Sequence, residues 1–223
     1  MSCIVENIHR LRDAVPPEVK LVAVGKTRSV EEIREAVSAG QILFGENKAQ
    51  ELVAKYAHLP AVAWHFIGHL QTNKVRHIAP FVQMIQTVDS FRLLEEISHQ
   101  AQKHNRTIDC LLQIHIAREE QKFGLSEDEV FGLLETPGLK DLNHVRICGL
   151  MGIATNTVDE TVIRTEFRML ADMFKQIRQQ YFPAEGSFCE LSMGMSDDYR
   201  IAVEEGSTMI RIGSGIFGER TYR

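Results

Sequence analysis

The sequence predicts an α/β fold: a single closed parallel (β/α)8 barrel of the TIM type, formed by residues 1–223 as one domain and preceded by an extra N-terminal helix. Two observations carry this. Short apolar runs alternate with longer amphipathic stretches, the pattern of βα units around a parallel sheet. The runs number eight, which suggests closure, and 223 residues suit a barrel built as one unit around one core.

Before the first strand, Ile4, Ile8 and Leu11 share one face of a predicted helix that covers the barrel's outer wall or its bottom. Strands are predicted at Leu21–Val24, Ile42–Phe44, Ala63–Ile67, Met84–Val88, Cys110–Ile116, Val145–Leu150, Phe188–Leu191 and Met209–Ile212. After the first strand, Ser29-Val30-Glu31-Glu32 fits a capping box, Ile33, Ala36 and Val37 follow on one face, and Gly40 closes the helix. The clearest helix runs from Glu160 to Tyr181, where Ile163, Phe167, Leu170, Phe174 and Ile177 recur at intervals of three and four. A shorter one is predicted over Tyr199–Glu205. No repeat, low-complexity tract or linker interrupts the pattern.

Composition narrows the function. A net charge of -5, without a lysine and arginine cluster, argues against nucleic acid as a partner. Charged residues stand where a signal peptide needs an apolar stretch, and no run reaches membrane-spanning length, so a cytoplasmic location is expected, with no membrane partner. Cys3, Cys110, Cys148 and Cys189 lack ligand spacing and read as reduced, mostly buried thiols.

In a parallel barrel, reacting groups gather at the C-terminal ends of strands. Lys26 follows Leu21-Val22-Ala23-Val24-Gly25 directly, so its amine is placed to condense with an aldehyde, or simply to reach solvent. The segment Ile212-Gly213-Ser214-Gly215-Ile216-Phe217-Gly218 contains a formal GxGxxG, but the five residues beyond it leave no room for a dinucleotide fold. It reads instead as a glycine-rich loop whose backbone N–H groups can approach a phosphate. Ser196, near the start of the helix at Tyr199, adds a second anion site, although Asp197 and Asp198 oppose an anion unless they point away. Arg211 lies between Ile210 and Ile212, faces the opposite side of its strand, and needs a partner: a glutamate such as Glu46, or a cofactor's ring nitrogen. His65 and His69 would lie roughly 13 Å apart on a strand, too far to share a metal ion, so no metal site is expected and hydrogen-bonded barrel histidines are the better reading.

Together these segments resemble the pyridoxal phosphate homeostasis protein family, whose fold is similar to the N-terminal barrel of alanine racemase. The resemblance rests on Leu21 through Thr27, Phe44-Gly45-Glu46-Asn47, Trp64 through Gln71 with Asn73-Lys74, Gly149-Leu150-Met151, Ser192 through Asp197, and Gly206 through Arg220. It implies a fold-type III site that binds pyridoxal 5'-phosphate. Lys26 would hold the cofactor as a Schiff base, Ser196, Gly213 and Ser214 its phosphate, and Arg211 its ring nitrogen, with Asn47 beside it. The chain departs from the family's usual pattern at Gly25, Lys48 and His115, which stand where serine, tyrosine and asparagine are frequent.

The resemblance also implies a carrier in vitamin B6 homeostasis, which stores and buffers the reactive aldehyde and delivers it to apo pyridoxal phosphate enzymes, without catalytic turnover. The competing class is an amino-acid racemase. That reaction needs a second acid/base opposite the lysine, and Tyr56, Tyr181, Tyr199 and Tyr222 are not clearly placed for it. With no evident dimerisation domain, a monomer is expected.

Overall fold

The computed structural model describes residues 3–119, 123–184 and 186–219. Its strands form one closed parallel ring in chain order: β1 (Lys20–Val24), β2 (Leu43–Glu46), β3 (Ala63–Phe66), β4 (Met84–Val88), β5 (Ile108–Ile114), β6 (Val145–Gly152), β7 (Glu190–Ser192) and β8 (Met209–Ile212). Closure comes from β1 lying beside β8, with Val22 opposite Arg211.

The helices between strands are α2 (Val30–Ser38), α3 (Ala49–His58), α4 (Thr72–Ile78), α5 (Phe91–Lys103), α6 (Glu127–Leu134), α7 (Glu160–Tyr181) and α8 (Tyr199–Glu204), with α1 (Cys3–Ala14) before β1 and α9 (Ser214–Phe217) after β8. The capping box is formed: Ser29 Oγ accepts the Glu32 N–H at 3.2 Å, and Glu32 Oε2 accepts the Ser29 N–H at 2.7 Å. Helix α7 has the predicted bounds, with Asp159 accepting the Thr161 N–H at its start. Helix α1 lies on the outer wall between α2 and α9. Its Asn7 donates to the Ile216 carbonyl at 3.0 Å and its Arg12 to the Ala39 carbonyl at 2.8 Å.

Apolar side chains sort into two layers. One, including Ile33, Phe44, Trp64, Phe66 and Phe167, fills the space between strands and helices. The other, Val22, Met84, Leu111, Cys148, Met151 and Met209, lies inside the ring. Polar residues are buried on the inward-facing positions too: His65, Gln86, Ser192 and Arg211. Most barrel interiors are layers of branched apolar side chains, so these four stand out.

Several boundaries differ from the sequence reading. Ile42 is 68% exposed and precedes β2, which runs on to Glu46 because that glutamate has a buried partner. Strand β7 begins at Glu190, whereas Phe188 is buried in a stack with Phe174 and Phe182 under α7. Strand β3 stops at Phe66 and β5 at Ile114, while β6 extends to Gly152. The expected thiol burial holds for Cys110 and Cys148 only, since Cys3 and Cys189 lie at element edges and are exposed. The glycine-rich segment after β8 is one helical turn, α9, rather than a loop. Helix α8 ends at Glu204, with Glu205 as its cap.

Candidate functional site

At the C-terminal end of β1 the chain turns sharply: the Arg28 N–H reaches the Gly25 carbonyl at 2.9 Å, and Thr27 takes φ +66°, a left-handed conformation that disfavours a β-branched residue. Helix α3 holds this turn. Glu51 accepts the Thr27 N–H at 3.2 Å, and Lys55 donates to the Gly25 carbonyl at 2.7 Å and to Glu46. Lys26, half-buried, is carried on the turn toward the barrel mouth.

Glu46 is 0% exposed. Burial pushes its carboxyl pKa up, with Lys55 pulling the other way. The suggested Glu46 to Arg211 pair is therefore not formed, because Glu46 is engaged by Lys55. Arg211, 4% exposed, donates instead to Ser192 Oγ at 2.6 Å and to the Gly152 carbonyl at 2.9 Å. Burial lowers its pKa to about 10, partly offset by the Asp198 carboxylate, so it stays protonated at neutral pH. Asp198 accepts the Met195 N–H at 2.5 Å, and burial pushes its own pKa up.

Asp198, not Ser196, holds the N-cap position of α8, without a side-chain bond to the helix. Ser196 turns toward the next helix, where its hydroxyl accepts the Gly215 N–H at 3.2 Å beside Gly213 and Ser214. Gly194 makes this possible with φ +98°. A Cβ there would lie 2.6 Å from Ala202 Cβ and 3.0 Å from Tyr199 Cα. Gly194→Ala is therefore expected to lose about 1–3 kcal/mol of stability, read as a lower Tm; an unchanged melt would refute the strain.

The structure brings Lys26, Ser196, Arg211, Gly213 and Ser214 together around one cavity of about 180 Å³, with Arg28 and Asp197 also on its wall. Asn47 is not among them. It borders a neighbouring cavity of about 180 Å³ with Lys48, His69, Gln71 and Lys74. The Asn47 side-chain oxygen is buried with no hydrogen-bond partner. Gly68 approaches its backbone so closely that a Cβ there would meet the Asn47 carbonyl at 2.2 Å.

Arg28 and the interior set of Gln86 and Ser192 were missed in the sequence reading. Strand alternation puts Gln86 inward with Met84, which is the one signal that marked it. His65 does hydrogen-bond inside the barrel, its Nδ1 lying 2.8 Å from Gln86 Nε2. His69 lies beyond β3, stacked on Phe123 and 3.5 Å from Asp89. No group of metal-ligating residues occurs among the described residues. No helix among them is long and apolar enough to cross a membrane.

At the three departures from the family pattern, the Gly25 position leaves a gap in which a Cβ would make ordinary contact with Ile33 and Glu46. Lys48 is exposed 3.6 Å from Glu51, and the His115 ring lies 2.9 Å from the Ala117 carbonyl. Tyr56 stacks on Phe81, Tyr181 donates to Glu135 and Tyr199 accepts from Arg200, so none of them lines the cavity of Lys26. Tyr222 and Arg220 lie outside the described residues.

Fold and mouth together define a barrel of the alanine racemase N-terminal class, and the family model described as alanine racemase, N-terminal domain, matches residues 1–221. The pyridoxal phosphate homeostasis protein of Pasteurella multocida is 38% identical over 229 residues, spanning 100% of this chain and 97% of that protein. Its namesake in Escherichia coli is 34% identical over 237 residues, spanning 100% and 99%. The solved structure of PipY from Synechococcus elongatus with PLP bound matches at a TM-score of 0.88 and 37% identity, covering 96% of this chain and 100% of that one. This chain belongs to the pyridoxal phosphate homeostasis protein family. Alanine racemase from Bartonella henselae, 15% identical with a TM-score of 0.71 over 99% of this chain and 61% of that one, shares the fold.

Proposed function

We propose that the chain, acting as one monomeric barrel domain, binds pyridoxal 5'-phosphate as a Schiff base on Lys26 and serves intracellular vitamin B6 homeostasis by storing, buffering and delivering the cofactor. The observation that carries this is the convergence of Lys26, Arg211, Ser196, Gly213 and Ser214 on one cavity at the C-terminal mouth. Bound there, the cofactor supplies an aldehyde that joins a primary amine. The residues present fit it: a lysine amine, two guanidinium groups and two hydroxyls suit an aldehyde and a phosphate, and the unpartnered Asn47 oxygen next door awaits a donor.

In this reading Lys26 is the joining amine, and the turn that carries it is held by Lys55 and Glu51 rather than by the ligand. Ser196, Ser214 and the backbone at Gly213 receive the phosphate, beside the start of α9, where the Gly215 N–H reaches Ser196 Oγ rather than an intrahelical acceptor. Arg211 faces the ring nitrogen. A guanidinium that remains protonated can only donate, so it keeps that nitrogen unprotonated and the ring a weak electron sink, which suits holding better than turnover. Release to apo enzymes in the cytoplasm is then a transfer between amines.

The test is an absorbance spectrum of the protein and of Lys26→Ala, each incubated with pyridoxal phosphate, desalted and treated with borohydride. The parent is expected to show a near-violet band that borohydride traps on Lys26, and the variant to lose it entirely. Absence of the band in the parent would overturn the proposal. Incubation with L-alanine is expected to yield no D-alanine; steady formation would favour the racemase instead.

A further inference from the structure

A second cavity, of about 790 Å³, opens at the other end of the barrel. It is lined by residues at the N-terminal ends of strands, among them Leu43, Met84, Cys148 and Met209, and His65 forms part of its wall. Four of the charges on its rim form two pairs: Lys20 with Glu190, and Arg146 with Asp109 at 2.6 Å. Arg12 is held by the Ala39 carbonyl and Gln41.

A hydrogen-bond chain leads from the mouth to this cavity. Arg211 donates to Ser192 Oγ at 2.6 Å, Ser192 donates to Gln86 Oε1 at 2.7 Å, and Gln86 Nε2 faces His65 Nδ1 at 2.8 Å. Its direction follows from one end. An arginine can only donate, so the Ser192 hydroxyl turns its proton to the Gln86 oxygen, the Gln86 amide turns its N–H to His65, and His65 Nδ1 accepts. Burial lowers the His65 pKa to about 3, so the ring is neutral and carries its one proton on Nε2.

We infer that this cavity is a second binding site, for a small, uncharged, mainly apolar molecule whose carbonyl oxygen accepts from His65 Nε2–H. The apolar wall supplies the burial. A ligand carrying its charge at His65 is disfavoured, because the neutral imidazole offers no countercharge there and the nearby pairs Lys20–Glu190 and Arg146–Asp109 are spent on one another. Ligand at His65 is linked to the mouth through the chain; only this linkage rests on the cofactor reading, and the site does not.

Benzamide is the probe, with benzoate and toluene as its charged and acceptor-free counterparts, titrated into cofactor-free protein and followed by calorimetry and by the His65 Nε2 resonance in ¹⁵N NMR. Benzamide is expected to bind saturably and shift that resonance, at least about tenfold more tightly than either counterpart. His65→Phe should weaken it about tenfold, and Met84→Trp, which puts bulk beside His65 on the neighbouring strand, should weaken it as well. Melting curves establish that each variant is folded. No benzamide binding, equal binding of benzoate, or binding indifferent to both variants would overturn the site.

For the linkage, benzamide and pyridoxal phosphate are expected to change each other's affinity by the same factor. Gln86→Leu or Ser192→Ala should erase that factor while benzamide still binds. Affinities that ignore each other would overturn the linkage, and a missing near-violet band would fault the cofactor reading while the calorimetry still decides the site.

Discussion

Replacing Lys55 by methionine is expected to remove about 3–5 kcal/mol of stability at neutral pH, because it strands Glu46 in the interior without its partner. The carboxylate has no route to solvent at 0% exposure, and Lys55 is the main group that opposes the effect of burial. Without it, the folded-state pKa of Glu46 rises further above the ordinary 4.5. The unfolded chain then gives up this proton at a pH where the folded chain still holds it, so stability falls as pH rises from about 4.5 upward. Denaturant melts of Lys55→Met should accordingly show a smaller deficit at pH 5 than at pH 8. The double variant Glu46→Gln with Lys55→Met should recover most of the loss. A single variant as stable as the parent at both pH values would show that the pair contributes nothing.

Acid should act on the barrel through His65. Its unfolded pKa of 6.5 falls to about 3 in the folded chain, chiefly through burial and secondarily through Lys20. Between those values the unfolded state binds a proton that the folded state refuses, so the stability present above pH 6.5 is lost as pH drops toward 3, at about 1.4 kcal/mol per unit. By pH 4.5 the loss amounts to about 3 kcal/mol from this residue alone. Protonation would also set an N–H on Nδ1 against the Gln86 amide. Stability measured from pH 7 to 4.5 for the parent and for His65→Gln isolates the histidine's contribution: the parent curve should fall more steeply. Parallel curves would mean that the imidazole is not held neutral.

The barrel was legible because its signals are local. Ser29 and Glu32 announce the start of α2 within four residues, and the spacing of Ile163 through Ile177 spans α7 without outside help. Strand β2 was misplaced because the reasons lie elsewhere: Glu46 enters a strand only with Lys55, one helix later, and Ile42 is apolar yet turned to solvent. Lys26 and Arg211 were visible as a lysine at a strand end and a charge between isoleucines. The connection from Arg211 to His65 was not, since its four members come from β8, β7, β4 and β3 and meet only when the ring closes. Asn47, just beyond β2, borders a neighbouring cavity rather than the one around Lys26, and the close approach of Gly68 to its backbone, which fixes its place, comes from the next βα unit and is not marked locally.

That ring closes through β1 and β8, the first strand made and the last. On the ribosome, Lys26 emerges early, on a strand with one neighbour, while Ser196, Arg211, Gly213 and Ser214 are still untranslated. A nascent chain therefore carries the lysine before those four later residues of its cavity exist. Both sheet edges stay open until the final strand docks, a state that invites mispairing. The cavity around Lys26 is thus a property of the closed ring, and a chain cut before β8 lacks three of the residues that line it, Arg211, Gly213 and Ser214.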